Sequence, residues 1–234
     1  VTQLEDRVTP ASFTVSNLND GGAGSLRAAV AGANANPGPD TIVFGVAGTI
    51  NTASPLGLTD TTGGTTIDGT TAPGYSGAPV VAIKGTGGSG SVRGIDVQSP
   101  NNTILGLQVT SFSTLGIYIV GTASSSFGVS GTASNTLVGG CYVGTDGATA
   151  AGGFYGIVID GSANNRIGAV NGAGGRNVIS GNTSEGVRVL GTGSTGNVIA
   201  GNYIGTNAAG TVALPNTGNG VTLLASNNTV GTDG

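Results

Sequence analysis

Gly156-Ile157-Val158-Ile159, Asn165-Arg166-Ile167-Gly168, Asn177-Val178-Ile179-Ser180-Gly181-Asn182, Gly186-Val187-Arg188-Val189 and Asn197-Val198-Ile199-Ala200-Gly201-Asn202-Tyr203-Ile204-Gly205 follow one another between positions 156 and 205. Two strand types alternate in them, Gly-(Ile/Val)-x-(Ile/Val) and Asn-x-(Ile/Val)-x-Gly. Each copy is too short to bury an apolar face by itself, so successive copies must stack on one another. The stretch reads as an all-β solenoid.

Outward from it, the same grammar starts at Thr65-Thr66-Ile67-Asp68-Gly69 and returns at Pro79-Val80-Val81-Ala82-Ile83 and Gly94-Ile95-Asp96-Val97. Aligning the Gly-led strands stacks Ile95, Ile117, Ile157, Val187 and Val221 in one column, and Val97, Ile119, Ile159, Val189 and Leu223 in the next. Period-two alternation points these inward and turns Asp96, Tyr118, Val158, Arg188 and Thr222 outward. The Asn-led strands align Ile104, Leu137, Ile167, Ile199 and Val230. The spacing of Gly-led strands is uneven, which predicts loops of unequal length leaving one corner. The longest two match: Val143-Gly144-Thr145-Asp146-Gly147 answers Ile204-Gly205-Thr206-Asn207-Ala208. Stacked corner asparagines can hydrogen-bond along the stack, and Cys141 stands in one copy where Asn202 stands in the other.

Before the repeats, Ser25 is placed as an N-cap, and Leu26, Ala29, Val30 and Ala33 fall at helical spacing. Pro37 and Pro39 end that helix, predicted over about residues 25–34. Its expected task is to cover the first coil. Three regions follow: residues 1–11 as a processed leader remnant or an extended arm, 12–64 as an N-terminal cap with the first strands, and 65–234 as coils. The stretch from Asn227 to Gly234 opens a further coil with no cap after it, so that end is expected to be uncapped.

Glycine supplies 47 of 234 residues without a collagen period, which suits a turn-rich β protein. Seven basic residues stand against eleven acidic ones, too few to neutralise a nucleic acid backbone. One cysteine and no histidine leave no zinc site, redox pair or intrachain disulfide. No apolar run is long enough for a helical membrane span. The chain opens on Val1; either an export segment has been removed or this is a fragment. A polar, cysteine-poor composition reads as extracellular or surface-bound on a bacterium.

Candidate chemistry is sparse. Gly85, Gly87, Gly90 and Gly191, Gly193, Gly196 match G-x-G-x-x-G, but neither set opens a helix, so no dinucleotide site is expected. A solenoid that cleaves polysaccharide would carry carboxylates on one outward face. Here that face offers Asp96 and Arg188 several coils apart, with Asp160 and Glu185 at non-matching positions. Asp146 and Asp233 lie in GTDG turns and are explained by turn formation rather than Ca²⁺. Tyr118, Tyr142, Tyr155 and Tyr203 are candidates for a glycan-stacking strip or for ordinary packing. No catalytic, cofactor-binding or metal residues are assigned, and the chain is expected not to be an enzyme. Polysaccharide lyase or hydrolase is the enzyme class left open.

Gly24-Ser25-Leu26-Arg27-Ala28-Ala29 with Asp40-Thr41-Ile42-Val43-Phe44 resembles the CSLREL-type N-terminal element of bacterial parallel β-helix repeat proteins. The Thr66–Tyr75 stretch and the Asn-Val-Ile-Ser-Gly-Asn and Gly-Asn-Tyr-Ile-Gly-Thr phrases are similar to the same proteins. Gly24 replaces the cysteine of the family pattern. The resemblance implies a right-handed β-helix, export and a surface or adhesin-like role, and carries no catalytic residues to transfer. With the uncapped end and the N-terminal arm, it leads to an expected structural role: copies joining end to end into a fibre through Val1, Leu4, Val8, Leu26, Val30, Leu223 and Val230. The alternative is a surface module that binds or cleaves glycans.

Overall fold

The computed structural model describes residues 9–87, 93–122, 126–168 and 175–231. Val1, Leu4, Val8, Gly90 and Asp233 lie outside the described residues. Strands wind into three parallel sheets, so the chain is a parallel β-helix. The first sheet holds eight strands, from Ser12–Val15 and Thr41–Phe44 through Thr66–Asp68, Thr103–Leu105, Leu137–Gly139, Arg166–Ile167 and Val198–Ile199 to Thr229–Val230. The second holds six: Gly48–Thr52, Val81–Gly85, Leu107–Thr110, Tyr142–Val143, Val178–Ile179 and Tyr203–Ile204. The third holds six: Leu56–Leu58, Arg93–Val97, Leu115–Val120, Tyr155–Asp160, Val187–Leu190 and Val221–Leu223. At ordinary strand spacing the first sheet is about 34 Å from end to end.

The core is a bundle of columns. Leu56, Ile95, Ile117, Ile157, Val187 and Val221 are in register on the third sheet, with Leu58, Val97, Ile119, Ile159, Val189 and Leu223 beside them. Ile50, Ile83, Val109, Val143, Ile179 and Ile204 line the second. Phe13, Ile42, Ile67, Ile104, Val138, Ile167, Ile199 and Val230 line the first. Most of these side chains are fully buried. Each such burial contributes about 1.5–3 kcal/mol against the entropy of ordering the chain.

Three features differ from the sequence reading. The Asn-led strands are two kinds, since Asn165-Arg166-Ile167 enters the first sheet and Asn177-Val178-Ile179 the second. Asparagines stack at both corners, which makes the two phrases look alike. The inward residue of one coil is Val138, with Leu137 paired to Thr103 and Arg166 in the outward column. There the ladder position is Thr136, one residue beyond Asn135. Asn135 occupies the left-handed corner conformation (φ 53°) shared by Asn101, Asn164 and Asn227. Finally, long loops leave more than one corner: residues 144–154 and 205–220 connect the second sheet to the third, and 121–136 connects the third to the first.

The corner ladder is continuous where asparagine is present. Asn165 Oδ1 accepts from the Thr136 N–H at 2.9 Å, Asn197 Oδ1 from Asn165 N–H at 2.8 Å, and Asn228 Oδ1 from Asn197 N–H at 2.9 Å. A second ladder runs through Cys141, Asn177 and Asn202, where Asn177 Oδ1 accepts from the Cys141 N–H at 2.9 Å. Cys141 is buried, and burial pushes its thiol up to about 12. It acts as a small core residue.

The helix spans Leu26–Ala35, capped by the Ser25 side chain, which accepts from Ala28 N–H. Leu26, Ala29, Val30 and Ala33 are buried against the first coil, and Gly32 lies against the Phe13 ring. Asn34 pins the helix by donating to Gly57 O and accepting from Thr59 N–H, both at 2.8 Å.

Candidate functional site

The outward residues of the second sheet form two columns, Thr49, Ala82, Gln108, Tyr142, Val178 and Tyr203, and beside them Asn51, Lys84 and Thr110. Lys84, Gln108, Thr110, Ser111, Thr49, Ala82, Asp146 and Ala151 line a recess of about 200 Å³. One wall is the turn after Val143, closed on itself by the Thr145–Ala150 bridge. Asp146 belongs to that turn and accepts from the N–H groups of Ala148 (2.9 Å) and Thr149 (2.6 Å) and from the Thr149 hydroxyl (2.8 Å). Those backbone donors hold its carboxyl below the usual range, so it stays ionised. It therefore explains the GTDG turn.

Lys84 is the one lysine of the chain, and among the described residues its ammonium has no hydrogen-bond or ion-pair partner. Further along the same face, Tyr142 and Tyr203 sit two coils apart in one column. Gly147 backs the Tyr142 ring and Gly210 backs the Tyr203 ring, each so closely that an added Cβ would collide with it. The two matching long turns thus seat the two rings in the same way. Arg176 lies over Tyr203, 4.1 Å from the ring centroid.

The outward face of the third sheet is different. Tyr118 and Val158 point outward yet are fully buried, because residues 126–134 fold back over them. Phe127 meets Tyr118 and Tyr155 edge-on, at 5.4 and 6.0 Å between centroids. Asp160 Oδ2 accepts from the Tyr118 hydroxyl and from the Ser126 N–H, both at 2.9 Å; its Oδ1 is buried without a partner. Burial, then the bond to Asp160, raises the Tyr118 hydroxyl well above its ordinary value. Asp96 is bridged to Arg93 and Glu185 to Arg188, each at 3.0 Å. Burial raises the Asp96 carboxyl, with Arg93 opposing. The carboxylates weighed from the sequence are therefore spent on internal partners, and the four tyrosines divide between two faces instead of forming one strip.

Among the described residues no group of three or more His, Cys, Asp or Glu side chains is placed to hold a metal ion. Gly191 and Gly193 follow the Val187–Leu190 strand with no helix after them. Of the residues expected at a self-association surface, Leu26 and Val30 are buried under the cap, whereas Leu223 and Val230 are 39% and 50% exposed. The second-sheet recess was missed by sequence reading. Its signal was the unpaired Lys84 in a β-strand, two residues past Ala82.

No protein-family profile and no curated protein matches the sequence. Among solved structures, the fold is similar to an alginate lyase from Paenibacillus sp. str. FPU-7, at 14% identity and a TM-score of 0.45, over 93% of this chain and 76% of that one. That neighbour is a lyase, a finding against the expectation that this chain is not an enzyme. The likeness is one of fold. No helix among the described residues is long and apolar enough to cross a membrane.

Proposed function

We propose that the chain is an exported or cell-surface β-helix module, of the CSLREL-like kind its N-terminal segment resembles, that binds a polysaccharide along the outward face of its second sheet. The observation that carries this reading is the open face itself. The side chains of Thr49, Lys84 and Gln108 and the seated rings of Tyr142 and Tyr203 follow one another along two adjacent columns of that face. A sugar chain offers matching chemistry: hydroxyls for the polar groups and ring faces for the tyrosines. Lys84 and Asp146 also bring an ammonium and a carboxylate to one recess, the kinds of group that proton transfer to and from a bound sugar uses.

The test is incubation with a panel of polysaccharides, reading retention on immobilised chains together with new reducing ends and unsaturated products. Retention lost in Tyr142→Ala and Tyr203→Ala supports the reading. Retention by no polysaccharide overturns it.

A further inference from the structure

Among the described residues, three arginines are held in ion pairs. Arg27 is bound to Asp20 at 2.7 Å, Arg93 to Asp96 and Arg188 to Glu185 at 3.0 Å. Lys84 and Arg176 are not neutralised in this way: no carboxylate lies within ion-pair distance of either among the described residues. Arg176 donates to Gly201 O at 3.3 Å and lies over Tyr203, and both contacts leave its charge in place. Both cations stand on the outward side of the second sheet. Lys84 is in the Val81–Gly85 strand, and Arg176 immediately precedes Asn177 and the Val178–Ile179 strand. They are three coils apart, about 14 Å along the axis. Gln108, Thr110 and Tyr142 fill the interval.

Asp146, in the recess itself, keeps its negative charge but turns it to its own loop: its oxygens accept from the Ala148 and Thr149 N–H groups and the Thr149 hydroxyl, and it forms no ion pair with Lys84. In a chain of formal net charge −4, Lys84 and Arg176 thus stand on one face without a carboxylate partner among the described residues.

We infer that the ligand of this face is an anionic glycan, an inference that rests on the glycan reading above. Its carboxylate or sulfate groups meet the Lys84 ammonium and the Arg176 guanidinium, and its neutral ring faces lie over Tyr142. Lys84 serves as a point charge, while the fork of Arg176 takes an oxyanion with two donors.

The experiment is titration calorimetry with a polyuronate, a sulfated glycan and a neutral glucan, each at low and at high salt. The expected result is binding of a charged glycan, weakened by salt as exposed charges are screened, with the neutral glucan at least about tenfold weaker. Which charged glycan binds distinguishes carboxylate from sulfate. Lys84→Gln and Arg176→Gln should each weaken binding about tenfold, the scale of one hydrogen bond to a charged group. Lys84→Arg should retain it, and unchanged thermal unfolding would show that the variants are folded. A neutral glucan that binds as tightly, or charge-removing variants that bind unchanged, overturns the inference and leaves the glycan reading standing. Failure of all three glycans overturns both.

Discussion

The second and third sheets share one coil, one alternation and nearly one length, yet their outward faces end differently. On the third, Tyr118 and Val158 are sealed beneath residues 126–134, and each flanking charge has an internal partner. On the second, the neighbouring loops close on themselves through the Thr145–Ala150 and Thr206–Ala213 bridges and stand beside the sheet. Lys84 is left exposed and Tyr142 and Tyr203 partly so, although Val178 between the two rings is buried. Strand sequence decides which side chains point outward. The loop after the strand decides whether that outward face becomes a second core or a surface.

The largest effect should come from breaking the closed face. Tyr118→Ala removes a fully buried ring that packs on Phe127 and donates to Asp160, and should cost about 3–5 kcal/mol. Tyr142→Ala, on the open face, should cost about 1 kcal/mol or less. Urea unfolding of the two variants measures the difference; equal losses would end the distinction between the faces. Phe127→Ala comes next, at about 2 kcal/mol because that ring is only partly buried. Its sharper readout is faster amide exchange across Leu115–Val120 and Tyr155–Asp160, with the Val178–Ile179 amides unchanged.

The inward columns were legible because period two is unambiguous when Ile and Val alternate with polar residues. Every pairing from Ile95 to Val221 falls where the Gly-led alignment puts it. Ser25 and its helix were legible from the cap and the apolar spacing. The second sheet was not separated from the first, because asparagine ladders give both corners the same phrase. Its functional face was therefore hidden within a strand type already assigned. The cover of the third sheet was illegible for a different reason. Residues 126–134 carry one aromatic, Phe127, among Gly, Ser, Thr, Val and Ala, and no periodicity marks a loop that folds back.

The coil that carries this cover also has a broken ladder. Thr136 occupies the position of Asn102, Asn165 and Asn197, and its hydroxyl is buried without a partner. Thr65, at the same rung of an earlier coil, shows the same fault. Thr136→Asn offers an acceptor to the coil before it and an amide to the corner carbonyls, and should stabilise by about 1 kcal/mol. Asn165→Ala, which strips the Thr136 N–H of its acceptor, should destabilise by about 1–3 kcal/mol. A Thr136→Asn midpoint at or below that of the parent chain would mean that the loop fixes this corner whatever residue stands there.

The smallest effect discriminates the faces by sign. Asp96, on the closed face, has its carboxyl raised above 3.8 by burial, whereas Asp146, on the open face, is lowered below 3.8 by the Thr149 and Ala148 N–H groups. A raised acid holds its proton more tightly in the folded state. Asp96 thus adds stability below pH 3.8, and that contribution is lost as pH rises through its folded value. Asp146 contributes in the opposite sense: its stabilisation is present above pH 3.8 and disappears as pH falls through its folded value. Carbon-13 titration of the side-chain carboxyls, assigned with Asp96→Asn and Asp146→Asn, should place the two on opposite sides of 3.8. Opening the closed face with Phe127→Ala should then bring Asp96 back towards 3.8 while Asp146 stays where it was. A titration of Asp96 that ignores Phe127 would show that its own strand and Arg93, rather than the covering loop, set its environment.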